Sequence, residues 1–130
     1  MPPLTGRCAC GAIRYSISAE PGFSFHCQCR QCQRASGGGH ASLFVVPKDA
    51  VTVEGELKFF DQIADDGATV SRGFCPQCGS PLLGRTTGNP DIALITAASL
   101  DDPTRFTPQR VVFCANRQPW DYVDPALPVS

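Results

Sequence analysis

The sequence predicts an all-β protein, and three observations support that class. Short segments alternate apolar and polar residues, as in residues 12–18, where Ile13, Tyr15 and Ile17 would share one face of a strand. Glycine and proline occur 12 times each without a repeat period, which indicates many turns. A helical pattern never extends over three turns. The sequence therefore predicts short strands joined by turns.

The predicted elements follow one another along the whole chain. Further strands are predicted at residues 23–27, 40–46, 68–74, 91–98 and 110–114, and a hairpin is predicted around Gly55, between 51–53 and 57–59. Residues 27–36 could form a turn or a short helix that ends at the glycines 37–39. The proline-rich stretch after Trp120 is predicted to lie along the surface. A chain of 130 residues has the length of one domain, so residues 1–130 are predicted to form a single domain.

The charge pattern argues against two classes of partner. The formal net charge is -1, from 11 basic and 12 acidic residues, and like charges form no block. Neither a nucleic-acid surface nor a polybasic membrane patch is therefore expected. The N-terminus lacks a signal-peptide pattern, and apolar stretches such as 92–98 are too short to span a bilayer. A cytoplasmic protein with reduced thiols is the expectation.

Seven of the eight cysteines fall into three clusters, each at the end of a predicted strand. The clusters are Cys8 and Cys10; Cys27, Cys29 and Cys32; and Cys75 and Cys78. In a reducing compartment, closely spaced cysteines bind metal or carry out redox chemistry more often than they form disulfides.

Cys75 and Cys78 have the spacing of a tight metal-binding turn. Pro76 fixes one backbone angle within this turn, and Gly79 can adopt the positive φ that such turns require. Zinc prefers four tetrahedral ligands, so Cys8 and Cys10 are the natural partners for a structural zinc site. The alternative is a redox dithiol, but such pairs usually begin a helix, and residues 79–81 (Gly-Ser-Pro) disfavour one.

Cys27, Cys29 and Cys32 provide three further thiolates. Three protein ligands and one vacant position are the usual composition of a catalytic zinc site. Such a site can deprotonate a bound thiol or polarise a carbonyl group. The sequence thus predicts zinc chemistry on a thiol and an aldehyde here. The alternatives are a second structural site and a partly empty one.

The remaining candidate residues are the eighth cysteine, the two histidines and the single tryptophan. Cys114 is predicted to be a small buried residue within a strand rather than a ligand. His26 would point away from Cys27 on an extended strand, which favours a packing role over a role as ligand or general base. His40 could line a pocket or begin a strand at the surface. Trp120 is predicted to be a packing anchor, although it could also line a ligand site.

These motifs resemble the glutathione-dependent formaldehyde-activating enzyme family, which also includes centromere protein V. The resemblance covers nearly the whole chain, through residues 6–15, 27–37, 74–80, 98–103 and 117–120. It implies a twisted all-β fold like that of the Mss4 zinc proteins. It also implies a structural zinc at Cys8, Cys10, Cys75 and Cys78, and a catalytic zinc at Cys27, Cys29 and Cys32.

The activity that the resemblance implies is condensation of formaldehyde with glutathione to S-(hydroxymethyl)glutathione, a carbon–sulfur lyase reaction. The chain departs from the family pattern at Gln28, which stands where a histidine is frequent, and it is shorter than the named enzyme. Two further hypotheses remain open. One is a zinc-stabilised binding module without turnover, and the other is a thiol redox or metal-buffer protein.

Overall fold

The computed structural model describes residues 2–130 and contains, within that range, ten strands and one α-helix. In chain order they are β1 (Leu4–Arg7), β2 (Arg14–Ile17), β3 (Ser24–Cys27), α1 (Arg30–Ser36), β4 (Ala41–Pro47), β5 (Val51–Glu54), β6 (Lys58–Ile63), β7 (Thr69–Phe74), β8 (Pro81–Thr86), β9 (Ile92–Thr96) and β10 (Arg110–Val112). Short 3-10 turns occupy Lys48–Ala50, Ala97–Ser99, Pro103–Arg105 and Cys114–Asn116.

The strands form two sheets. One has three strands in the order β1-β2-β5, and the other has seven in the order β10-β3-β4-β9-β8-β7-β6. Neighbouring strands are antiparallel except for β10 and β3, which are parallel. The all-β, Mss4-like prediction is confirmed, with cysteine clusters next to strand ends.

The main core joins the two sheets. Ile17 of β2, Phe44 of β4 and Ile95 of β9 are each 0% exposed and belong to one cluster of buried residues. Ile13 and Tyr15 are buried beside Ile17. The alternation that predicted a strand at residues 12–18 is therefore the pattern that buries one face of the small sheet.

The opposite face of the large sheet carries α1 and a second apolar cluster. Ala41 and Leu43 of β4 pack there against Cys27 and Cys32. Successive side chains of a strand point to opposite faces, so β4 contributes Phe44 to the main core and Leu43 to the helix side. The second cluster therefore lies between α1, which carries Cys32, and the large sheet, which carries Cys27, away from the main core.

The predicted hairpin around Gly55 is wrong. β5 pairs with β2, whereas β6 pairs with β7 in the other sheet, so the chain crosses between the sheets at Gly55. Gly55 has a φ of 98°, and a Cβ there would lie 2.6 Å from the backbone oxygen of Ala12. Glycine is needed here because the backbone passes close to Ala12. The hairpin prediction failed because local apolar alternation does not specify which distant strand a segment pairs with.

The C-terminal region differs from prediction at two residues. β10 ends at Val112, Phe113 adopts a left-handed φ of 57°, and Cys114 is a partly exposed residue in a 3-10 turn rather than a buried strand residue. Trp120 is 64% exposed, so it is not a packing anchor. The last residues return to the sheet, where the amide of Ser130 donates to the backbone oxygen of Val111 at 3.0 Å. Among the described residues, none of the helices has the length and apolar character needed to cross a membrane.

Candidate metal centres

Four cysteine sulfurs converge where the loop after β1 meets the loop after β7. The Sγ atoms of Cys8, Cys10, Cys75 and Cys78 all lie within 4.8 Å of one another. The Sγ of Cys10 lies 3.6 Å from that of Cys8 and 3.7 Å from that of Cys75. Four sulfurs this close suit a tetrahedral metal site, and a cation would offset the repulsion between the thiolates.

Backbone amides point at the two buried sulfurs of this cluster. The N–H of Ile13 donates to the Sγ of Cys8 at 3.3 Å, and the N–H of Gln77 donates to the Sγ of Cys75 at 3.4 Å. Gly79 has a φ of 78°, and its N–H donates to the backbone oxygen of Cys75 at 2.8 Å. The turn is therefore shaped to present thiolates, and Gly79 adopts the positive φ expected of it.

The other two sulfurs face solvent. Cys10 and Cys78 are exposed, whereas Cys8 and Cys75 are 1% and 0% exposed. The hydroxyl and then the amide of Ser80 interact with the Cys78 sulfur and lower the pKa of this thiol to about 5. Two buried and two exposed thiols place the site at the rim of the fold, where it ties the two loops together.

The second cluster sits between β3 and α1. Cys27 is the last residue of β3, Cys29 directly precedes α1, and Cys32 lies in its first turn. Their Sγ atoms lie within 4.8 Å of one another, and in residues 2–130 no fourth cysteine, histidine or carboxylate joins them. Cys27 and Cys32 are each 4% exposed, whereas Cys29 is partly exposed. The cluster therefore has three ligand atoms and one accessible side.

The three thiols of this cluster shift one another's pKa. Hydrogen bonds from the thiols of Cys27 and Cys32 hold the pKa of Cys29 far below its usual range, and the nearby Arg72 guanidinium acts in the same direction. The pKa of Cys27 is raised, first by its hydrogen bond to Cys29. A divalent cation could complete this set of three sulfurs, because metal binding displaces the protons that remain on them.

Arg72 is a neighbour that the sequence did not reveal. Its Nη2 lies 3.8 Å from the Sγ of Cys32, and its Nε donates to the Oε1 of Gln62 at 3.3 Å. Arg72 lies on β7, forty positions from Cys32, and no sequence motif links the two residues. The guanidinium places a fixed positive charge beside the three thiols.

Sequence comparison identifies the family of this chain. Residues 3–116 match the sequence profile of the glutathione-dependent formaldehyde-activating enzyme family. The chain belongs to this family. The matched range contains all seven clustered cysteines.

Named relatives agree with this membership. A Halomonas elongata protein, provisionally named a glutathione-dependent formaldehyde-activating enzyme, is 31% identical over 126 residues, which cover 93% of this chain and 80% of the relative. A Penicillium rubens protein with the same provisional name is 32% identical over 82 residues, covering 63% of this chain and 42% of the relative. A Sordaria macrospora protein with the same provisional name is 28% identical over 89 residues, which cover 64% of this chain and 37% of the relative.

A solved structure shares the fold. The crystal structure of a Rhodobacter sphaeroides protein superimposes with a TM-score of 0.62 at 21% identity, covering 97% of this chain and 99% of that one. At this identity, the likeness concerns the fold alone.

In this family member, Gln28 links the three-thiol cluster to the C-terminal segment. Its side chain is 1% exposed, and its Nε2 donates to the Oδ2 of Asp121 at 3.0 Å. The Asp121 carboxylate also interacts with the Nδ1 of His40, at 3.0 Å from each oxygen. Asp121 lies against Gly39, where a Cβ would come within 2.2 Å of the Asp121 side chain. The residue that departs from the family pattern thus has its own buried carboxylate partner, outside the range that the profile matches.

A second buried amide strengthens this link. The Nε2 of Gln33 donates to the backbone oxygens of Gln28, at 2.8 Å, and Asn116, at 3.0 Å. The Oε1 of Gln33 accepts from Gln118 at 3.1 Å and also from Arg30. These bonds fix the helix that holds Cys32 to the segment after β10. The sequence shows that Gln33 can form hydrogen bonds but does not show which residues it bonds to.

The two histidines lie on the other side of β3 from the thiols. The His26 ring contacts the His40 ring at a centroid distance of 4.5 Å and the Phe106 ring at 5.8 Å, and its Nδ1 lies 2.9 Å from the Ser42 hydroxyl. This arrangement agrees with the packing role preferred for His26. Neither histidine belongs to a metal-ligand cluster among the described residues.

The hydrogen bonds that Gln28 and His40 make to the Asp121 carboxylate, here called the Asp121 clamp, can be tested through their dependence on pH. Burial alone would raise the pKa of Asp121, but the hydrogen bonds from Gln28 and His40 outweigh it and lower the pKa below the usual value. A lowered folded-state pKa stabilises the protein above the unfolded value of about 4, and this contribution disappears as the pH falls through the folded pKa. We expect Asp121→Asn to lower the free energy of unfolding by about 1–2 kcal/mol at pH 7.

The measurement is urea unfolding of both proteins between pH 7 and pH 3. The difference between wild type and Asp121→Asn should begin to shrink below about pH 4, where the unfolded chain takes up the proton, and should vanish only below the lowered pKa of the folded state, where both side chains are neutral. Asp124→Asn, at an exposed carboxylate in the same segment, is the matched control. A difference that stays constant down to pH 3 would contradict the assignment of charge to the clamp.

Proposed function

We propose that this protein is a zinc-dependent enzyme of the carbon–sulfur lyase type, which forms or splits the bond between a thiol and an aldehyde carbon. The observation that carries the proposal is the cluster of Cys27, Cys29 and Cys32, with three sulfurs and one accessible side. The family name suggests glutathione as the thiol and formaldehyde as the aldehyde, as in S-(hydroxymethyl)glutathione synthase.

The donor sets of both sites fit zinc. Cys8, Cys10, Cys75 and Cys78 would hold a structural zinc with four thiolates, and Cys27, Cys29 and Cys32 would hold a catalytic zinc with three. All eight cysteines are free thiols, as ligands require, and a reducing compartment such as the cytoplasm would keep them so. In this proposal, residues 1–130 act as one domain.

Each partner in the reaction has a defined role. When bound to three thiolates, zinc would lower the pKa of an incoming thiol and polarise a carbonyl oxygen. In the synthetic direction the substrate sulfur forms a bond to the aldehyde carbon, the carbonyl π bond breaks, and the proton of the thiol ends on the new hydroxyl oxygen. The reverse reaction returns thiol and aldehyde.

The chain's own residues prepare the site for this reaction. Cys27 and Cys32, both almost fully buried, leave Cys29 on the side open to substrate. Arg72 places its charge beside Cys32, where it would favour anionic sulfur in the site. Gln28 and Gln33 hold the loop between β3 and α1 in place through the hydrogen bonds described above.

The zinc content of the protein, with and without glutathione, tests the proposal. Protein purified under reducing conditions should contain about two zinc ions per chain. Adding excess glutathione should make one of them exchangeable to a chelator, because the incoming thiol competes with protein ligands at the open site. The same chelator assay on Cys78→Ser, which lacks one ligand of the four-cysteine site, shows which of the two zinc ions glutathione makes exchangeable.

Two results would count against the proposal. One zinc per chain that glutathione does not affect would favour a binding module with a structural site only. Ready oxidation of Cys27, Cys29 and Cys32 with release of metal, and without formation of a thiol–aldehyde adduct, would favour a redox or metal-buffer protein.

A further inference from the structure

A cavity of about 420 Å³ lies between α1 and the large sheet, on the same face as the three-thiol cluster. This volume is in the range of pockets that bind small organic molecules. Ala41 and Leu43 line the cavity and also pack against Cys27 and Cys32. Arg72 lines it too, and its Nη2 lies 3.8 Å from the Sγ of Cys32. The cavity therefore adjoins the candidate catalytic site through shared residues.

The floor of the cavity is apolar. Leu43 of β4, Val70 of β7 and Leu94 of β9 point into it, and Phe60 of β6 lies at its edge with 59% of its surface exposed. A large aromatic ring at an exposed strand edge leaves apolar surface that an occupant could cover. Formaldehyde has no apolar body that could use this surface.

The charged groups that line the cavity are both positive. They are Arg34, on the exposed side of α1, and Arg72, and no aspartate or glutamate lines the cavity among the described residues. In residues 2–130, the Arg34 side chain forms no hydrogen bond or ion pair, whereas Arg72 contacts Cys32 and Gln62. Arg34 is thus available to an anion from outside the chain.

We propose that the cavity binds the body of the thiol substrate, and that this thiol is an apolar carboxylic acid rather than glutathione. The thiol group would lie beside Arg72 and the cysteine cluster, an aromatic or branched aliphatic body would cover the apolar floor, and the carboxylate would meet Arg34. The two carboxylates of glutathione could meet the two arginines, but its peptide groups and its ammonium group would lie against the apolar floor without partners, so an acid with an apolar body fits this lining better. The inference rests on the proposed function, since it assigns the thiol of that reaction.

Binding of a matched set of small probes tests the inference without requiring turnover. The probes are 4-(mercaptomethyl)benzoate, 4-ethylbenzoate, in which a methyl group replaces the thiol, and 4-ethylbenzamide, which is also uncharged. Isothermal titration of the zinc-loaded full chain should show that 4-(mercaptomethyl)benzoate binds more tightly than glutathione. It should also show that 4-ethylbenzoate binds more tightly than 4-ethylbenzamide.

Variants of exposed residues locate the binding. Arg34→Glu should weaken 4-ethylbenzoate roughly tenfold and leave 4-ethylbenzamide nearly unchanged, because attraction becomes repulsion at one end of the ligand. Lys58→Glu, at an exposed position of β6 that does not line the cavity, is the control with the same charge change. Phe60→Ser should weaken both probes roughly fivefold, since it removes part of the apolar surface.

The outcomes separate this inference from the proposed function. Equal effects of Arg34→Glu and Lys58→Glu on 4-ethylbenzoate, or tighter binding of glutathione than of the thiol acid, would overturn the inference. If glutathione labilises one zinc and 4-ethylbenzoate does not bind, the proposed function stands and the inference fails. Binding of 4-ethylbenzoate that depends on Arg34 supports the cavity assignment even where glutathione leaves the zinc unaffected.

Discussion

The Cys78→Ser variant is expected to melt more than about 10 °C below wild type, because a structural metal contributes folding free energy that one lost ligand removes. Cys78 is exposed, and substitution of an exposed side chain without a special partner usually changes stability very little. A large effect at this position therefore reports the metal rather than core packing. Cys75→Ser would confound the two causes, since Cys75 is 0% exposed.

Thermal unfolding followed by circular dichroism, with and without a zinc chelator, makes the measurement. Cys114→Ser is the matched control, because Cys114 is partly exposed and lies outside both cysteine clusters. The chelator should destabilise wild type and leave Cys78→Ser nearly unchanged. Equal melting temperatures for Cys78→Ser and Cys114→Ser would remove the structural assignment of this cluster.

Cys29→Ser is expected to abolish the formation of thiol–aldehyde adducts while the protein stays folded. Loss of a direct ligand should lower activity by more than about a hundredfold, the upper end of what loss of an indirect partner costs at metal sites. The zinc content should fall from about two ions per chain to about one. The fold should survive because Cys29 is partly exposed and lies outside the main core.

Two measurements on the same sample make this prediction specific. Adduct formation is followed by NMR with formaldehyde and two thiols, glutathione and 4-(mercaptomethyl)benzoate, while metal content is read by mass spectrometry. Cys114→Ser should retain both zinc and activity. Full activity of Cys29→Ser with either thiol would refute the three-cysteine catalytic site, and a collapse of its melting temperature would reassign the cluster to stability.

Strand positions and their buried faces were largely predictable because they depend on local patterns. Alternation around Ile13, Tyr15 and Ile17 reports burial directly, and β2 buries the face expected. The structure also brings together the same two sets of cysteines that spacing grouped, although their roles as ligands stay predictions. The hairpin at Gly55 failed for the converse reason: the choice of partner strand depends on segments far away in sequence.

The sequence by itself determined the all-β class, the family, and the thiols available for metal, because side-chain periodicity and cysteine spacing are properties of short segments. Only the tertiary structure placed Arg72 beside Cys32 and joined Gln28 to Asp121 across 93 positions. It also formed the cavity under α1, which has an apolar floor and two arginines in its lining. Each of these features consists of contacts between residues far apart in sequence. Such contacts arise from strand order and sheet packing, for which local patterns carry no signal.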